Sequence, residues 1–206
     1  MKPEEIEAES FRIIDEEVGP HDWNSDEWQI VRRVVHTSAD FEYVRSMVIS
    51  DTAIENAVAA LREGGGIVTD TTMALSGISR ARLKEFGCPL SCHVADEDVA
   101  AAARTSGVTR SVIAMRKATS HPGNRIFVIG NAPTALFELL RLIERGEVAP
   151  ALIVGLPVGF VGAEESKNAL AALQGQVPFI TNIGRKGGSN VAAAIVNALT
   201  ILASSH

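Results

Sequence analysis

The sequence predicts an α/β protein, a three-layer αβα arrangement around a mostly parallel five-stranded sheet with a helical N-terminal extension. Three observations carry this expectation. From residue 65 onward, short apolar runs of strand length alternate with helical stretches, the pattern of βαβ units. Before residue 65 the apolar residues recur at helical spacing instead. The runs also end in Gly-rich turns that lead straight into helices, as strand exits do in a parallel sheet.

Taken in order, residues 4–18 set Ile6, Phe11, Ile14 and Val18 at roughly helical spacing, and Gly19-Pro20 stop that helix. Ser25 is the expected N-cap of a second helix, with Asp26 and Glu27 in the first turn, where the helix dipole favours acids. This helix presents Trp28, Val31, Val34 and Val35. Asp51 is the expected cap of a third, which runs to Leu61 and stops at Gly64-Gly65-Gly66. Strands are expected at Ile67–Asp70, Leu90–Val94, Ile126–Ile129, Ala151–Val154 and Phe179–Asn182, with helices near 96–106, 109–118, 133–145, 163–173 and 188–203. No repeat, low-complexity tract or long linker interrupts the pattern. Residues 1–206 therefore read as one domain, helical over 1–64 and alternating over 65–206.

Composition narrows the function. Hydrophobic residues make up 46% of the chain but aromatics only 5%, so the core must be built from Ala, Val, Ile and Leu. A net charge of −6 disfavours non-specific binding to nucleic acid. An anionic ligand would need local cations working against that field. No apolar run approaches the roughly 18 residues that span a bilayer, and the acidic first ten residues lack the apolar stretch of a signal peptide. A cytoplasmic protein that does not enter the membrane is expected. Cys88 and Cys92 are the two cysteines; the pair has no second pair to complete a structural zinc set, so buried thiols and no metal are expected.

In an open parallel sheet, ligands bind outside the carboxyl ends of the strands, so the residues after each strand matter most. These exits read Thr69-Asp70-Thr71-Thr72-Met73 with Ser79-Arg80 beyond, then Gly130-Asn131-Ala132-Pro133-Thr134, Gly155 to Gly162, and Gly184-Arg185-Lys186-Gly187-Gly188-Ser189. Pro133 suits a first helical turn, and free N–H groups at that turn suit an anion. The exits read as a cradle for a large anionic small molecule, or as tight turns only. The P-loop and the spaced-glycine dinucleotide signature are both absent, which counts against a nucleotide enzyme.

Among the histidines, His21 and His121 fall in loops, His93 at a strand end, and His36 at the end of the apolar helix stretch Val31 to His36. Arg33 and His36, three residues apart, share a helix face. A histidine beside cations gives up its proton more readily, which suits a proton donor, although a lone helical histidine is more often structural. Arginines are scattered along the chain, among them Arg33, Arg80, Arg110 and Arg185, and arginine is the side chain that grips carboxylates with two bonds.

Taken together, three segments resemble the precorrin-8X methylmutase family: Gly130-Asn131-Ala132-Pro133-Thr134-Ala135-Leu136, the run from Gly155 through Ala163-Glu164-Glu165-Ser166-Lys167, and Gly184 to Ser189. Ser10-Phe11-x-Ile13-Ile14, Arg33-Val34-Val35-His36, Asp70-x-x-Met73 and Gly77-Ile78-Ser79-Arg80-Ala81-Arg82 match the same family in order and spacing, so the resemblance covers essentially the whole chain. It implies an isomerase of cobalamin biosynthesis that moves a methyl group from carbon 11 to carbon 12 of a corrin precursor by a 1,5-sigmatropic shift. It implies no cofactor, a tetrapyrrole as substrate and product, and a homodimer with active sites near the subunit interface. The resemblance puts the catalytic acid at His36 and substrate contacts at Ser10 and Arg33. Ser79, Arg80, Arg110 and Arg185 match further contact positions, and Asn131 is expected to join them. Glu9 stands where the family often carries Arg. A corrinoid carrier of the same fold, without chemistry, is the alternative.

Overall fold

The structure is a computed structural model that describes the backbone of residues 3–205 and the side chains from residue 5. It opens with α1 (Pro3–Val18) and α2 (Ser25–Ser38). The cap of α2 is Asn24 rather than Ser25. The Asn24 Oδ1 accepts from the N–H groups of Asp26 and Glu27, both at 3.0 Å, while Glu27 Oε2 accepts from the Asn24 N–H. This reciprocal capping box uses a side chain one residue earlier than expected and leaves Ser25 inside the first turn. The short α3 (Tyr43–Ser46), β1 (Met47–Ile49) and α4 (Ala53–Arg62) complete the N-terminal part. Asp51 does not cap α4; Thr52 holds that position without a side-chain cap, and Asp51 instead accepts a 3.2 Å bond from Gln174.

The alternating part keeps the five expected strands and five expected helices in order and adds two short helices between its first two strands, where none was expected. It comprises β2 (Gly66–Thr69), α5 (Thr72–Gly77), α6 (Arg80–Phe86), β3 (Leu90–Ser91), α7 (Glu97–Ser106), α8 (Arg110–Thr119), β4 (Asn124–Ile129), α9 (Pro133–Glu144), β5 (Leu152–Gly155), α10 (Ala163–Ala171), β6 (Phe179–Asn182) and α11 (Ser189–Ser205). The second of these strands, β3, is cut to two residues, so His93 and Val94 lie beyond it.

Among the described residues the sheet has six strands, not five, in the order β1-β6-β5-β4-β2-β3. The last five are parallel, and β1 pairs antiparallel with β6 from Met47↔Asn182 to Ile49↔Ile180. Three residues carry too little alternation to announce a strand; β6 beside it makes Met47–Ile49 one. The chain leaves β2 toward β3 on one side and returns to β4 on the other, so the topological switch point lies between β2 and β4.

Two apolar layers enclose the sheet. One, built on α1, α2, α4 and α11, packs Ile30, Val31, Val34 and Val35 against Val191, Ala192, Ile195 and Leu199. The other sets Met115 of α8, Leu136 and Leu139 of α9 and Leu170 of α10 against Phe127, Ile153 and Phe179. Small aliphatic side chains dominate both, as the low aromatic content requires. Cys88 is buried, and its thiol, pushed up by that burial, donates to Leu61 O; Cys92 is half-buried. No helix among the described residues is long and apolar enough to cross a membrane.

One ion triad ties α8 to α9. The buried Glu138 accepts from Arg141 at 2.6 Å and from Arg116 at 2.7 Å. Chiefly through the Arg141 bond, with Arg116 adding, its carboxyl is held down at about 2. A depressed carboxylate stabilises the fold above its unfolded pKa and loses that contribution as pH falls through the folded value. Glu138→Gln is therefore expected to lower stability by roughly 1–2 kcal/mol at pH 7. In urea titrations the gap to the unsubstituted protein should close between pH 4.5 and about 2. A gap that stays constant over that window would contradict the triad's role.

Candidate active site at the carboxyl rim of the sheet

The α1–α2 face carries the first group of expected residues. The exposed imidazole of His36, in the last turn of α2, meets the Phe11 ring edge-on with centroids 5.3 Å apart. The Arg33 guanidinium lies 5.2 Å from the same ring and that of Arg32 lies 4.4 Å from it. Phe11 is thus the platform on which Arg33 and His36 converge, as their three-residue spacing predicts. Arg33 is not an uncommitted cation: its Nη1 donates to Glu7 Oε1 at 2.9 Å. This bond holds the Glu7 carboxyl below the ordinary carboxylate range against its burial, and the charges of Arg33, His36 and Arg82 add to the effect. A ligand carboxylate must share Arg33 with Glu7 or displace it. Ser10 sits one turn along from Glu7, its hydroxyl donating to Ile6 O at 2.8 Å. Glu9 forms an ion pair with Arg12, so its charge is answered within α1.

Ser79 belongs to the frame. Its side chain caps α6 by accepting from the Arg82 N–H, and its own N–H donates to Asn197 of α11 at 2.8 Å. Arg80, the first residue of α6, is exposed. The exposed Arg110 opens α8, whose cap Thr109 lies 3.1 Å from Thr134 of α9. That contact brings the start of α8 beside the start of α9 at the carboxyl rim.

At the switch point the structure departs from expectation. The turn Gly130-Asn131-Ala132 does not offer free N–H groups. The buried Asp70, just past β2, accepts from Gly130 at 3.0 Å, Asn131 at 2.9 Å and Ala132 at 2.7 Å. Burial pushes this carboxyl upward, and the three N–H bonds pull against the rise. The anion position at the N-terminus of α9 is therefore filled by the protein's own carboxylate. Asn131 projects from the turn so fixed and is exposed. The sequence named Asp70 within a motif without assigning it this role; its signal was an acid at a strand end in the same sheet as a Gly-Asn-Ala-Pro turn.

The β5 and β6 exits form one shelf. The Gly159 N–H donates to Arg185 O at 3.2 Å and the Gly188 N–H to Leu156 O at 3.0 Å. At Gly187, with φ +159°, a Cβ would stand 2.2 Å from Leu156 O, so only glycine lets the two turns approach this closely. Arg185 stands 5.8 Å above Phe160 and 3.9 Å from Glu164. Apolar side chains cover the shelf: Phe160 is 86% exposed and Val161 90%. The shelf connects to the histidine face through Lys186, which forms ion pairs with Asp40 and Glu42 just beyond α2.

A cleft of about 940 Å³ opens elsewhere, beside the α1–α2 turn, lined by Glu17, His21, Asp22, Trp23, Glu27 and Glu42 among others. None of the expected site residues lines it. Its acids would repel a polyanion, so the rim rather than this cleft suits an acidic ligand.

Asp70→Asn places an amide NH2 against N–H donors and orphans at least one of them. It is expected to lower stability by about 1–3 kcal/mol in urea unfolding. An unchanged midpoint would show that these three bonds carry no weight.

Comparison with known proteins shows the family. Residues 5–202 match the family model described as precorrin-8X methylmutase. A cobalt-precorrin-8 methylmutase of Priestia megaterium is 49% identical over 205 residues, covering 100% of this chain and 90% of that one. One from Leptospira interrogans is 46% identical over 205 residues, covering 97% of this chain and 93% of its own. The crystal structure of precorrin-8X methyl mutase from Thermus thermophilus superposes with a TM-score of 0.89 at 40% identity, covering 98% of this chain and 97% of that chain. A resemblance of this depth runs through both the α1–α2 face and the rim turns, and the chain belongs to the precorrin-8X methylmutase family.

Proposed function

We propose that the rim and the α1–α2 face together bind precorrin-8 or its cobalt form, and that His36 is the acid of the reaction. The isomerase moves the methyl group from carbon 11 to carbon 12, giving hydrogenobyrinic acid or its cobalt counterpart, cobyrinic acid. The observation that carries the reading is the exposed His36 imidazole, held edge-on by Phe11 beside Arg33. A migration of this kind needs the macrocycle held in one orientation and charge supplied at one atom. In this reading His36 donates a proton to the ring C nitrogen and takes it back after the shift. Ser10 and Arg33 engage the periphery near that ring. Arg80, Arg110, Asn131 and Arg185 meet the acidic side chains, Ser79 acts as the frame that points Arg80 outward, and the apolar shelf lies against the macrocycle.

The same reading treats residues 1–206 as one domain that works in the cytoplasm as a homodimer. Its support is the open shelf, whose apolar area beyond the macrocycle, with side chains as exposed as Phe160 and Val161, is what a second copy would cover. Sedimentation equilibrium is expected to show a dimer for the unsubstituted chain and a monomer for Phe160→Asp. A monomer for the unsubstituted chain would remove the dimer.

His36→Ala is expected to lower turnover about 10²–10⁴-fold, the range for loss of a general acid. Spectral titration with the coloured corrin product should still give a dissociation constant within a few-fold of the original. Full activity in the variant would exclude His36 as the acid. Product binding by the unsubstituted protein without any conversion of precorrin-8 would favour a carrier.

A further inference from the structure

Lys167 is a buried cation that the roles above leave unused. It lies on α10 with 0% exposure, and among the described residues it has no carboxylate within ion-pair distance. Its Nζ instead donates to Lys186 O at 2.5 Å and to Asn182 Oδ1 at 3.3 Å. The equally buried Asn182 turns its Nδ2 to the same Lys186 carbonyl at 3.0 Å and to Ile183 O at 3.2 Å. Burial pulls the Lys167 ammonium down to about 8, against a smaller opposing pull from Glu164. A buried charge without a counter-charge is costly, and an apolar side chain of similar shape would serve packing alone at less cost.

What the ammonium holds is the turn that presents Arg185. From beneath, Lys167 and Asn182 fix the carbonyl of Lys186, the residue next to Arg185. From the side, Gly159 N–H fixes the carbonyl of Arg185 itself, and Gly188 is tied to Leu156. Few other constraints act on the exposed Arg185 side chain, whose nearest carboxylate is at 3.9 Å. We propose that Lys167 is a positioning residue for substrate binding: its buried ammonium clamps the Ile183–Gly188 turn so that Arg185 stands over Phe160, ready for a carboxylate of the macrocycle. The inference rests on the reading of the rim as the corrin cradle.

The test is Lys167→Met, alone and combined with Arg185→Met. Lys167→Met is expected to raise KM and the dissociation constant of the corrin product about tenfold, with kcat within twofold. Arg185→Met should do the same, and the double variant should be little worse than either single one, because both remove one grip. Trypsin should cut Lys167→Met after Arg185 or Lys186 while cleavage elsewhere stays at the level of the unsubstituted chain. Unchanged KM and proteolysis in Lys167→Met would overturn the proposal, as would KM losses that multiply in the double variant. Should Lys167→Met fail to fold, hydrogen exchange in the unsubstituted protein decides. Gly159 and Gly188 amides as slow as those of β6 support the clamp, and amides as fast as an exposed loop overturn it. An unsubstituted protein that neither binds nor converts a corrin would sink the reading of the site instead, and the proteolysis and exchange results would still report on the clamp.

Discussion

Much of the rim depends on one buried carboxylate. Asp70, at the end of β2, fills the N-terminus of α9 with three backbone hydrogen bonds and so closes the switch point from within. In many open α/β sheets this crevice is where a ligand's phosphate settles. Here the position is taken, which matches the absence of any phosphate-loop signature in the sequence. In the proposed reading anion recognition moves outward, to arginines on helix starts and turns and to the face of α2.

That displacement suits a wide, flat, multiply charged molecule better than a nucleotide. A single N-terminal nest concentrates its donors on one small group, whereas Arg80, Arg110 and Arg185 open from three different elements. Arg185 stands over an apolar shelf rather than in a closed pocket. Its two turns are joined by backbone bonds and by the close approach at Gly187, so the shelf is a rigid surface built from segments that are loops in name only. On the histidine side Phe11 meets the imidazole edge-on and Glu7 holds Arg33 in an ion pair.

Charge is handled by the same economy throughout. Lys186 answers Asp40 and Glu42, Glu9 is answered by Arg12, and Glu138 by Arg116 and Arg141. Against this background Lys167 is the exception, a charge answered only by carbonyl oxygens. Its place in the sequence carried a signal. Ala163, Ser166, Lys167 and Leu170 fall on one buried stripe of α10, and a lysine at a stripe position is out of pattern.

The linear sequence was enough for the α/β class, for the longer helices and the five parallel strands, and for the pairing of Arg33 with His36 on one face; the short α3, β1, α5 and α6 escaped it. Each feature so read depends on the spacing of residues close together in the chain, and periodicity is a local property. The resemblance extended that reading to the family. The tertiary structure alone decided the rest. The sixth strand exists because β6 lies beside Met47–Ile49. The α9 N-terminus is occupied because a carboxylate 61 residues earlier reaches it. Arg33 is engaged by an acid 26 residues away, and Lys167 by a carbonyl 19 residues on. Which charge meets which partner is settled by distance in space and by the cost of burying it alone, and neither quantity can be read from spacing along the chain.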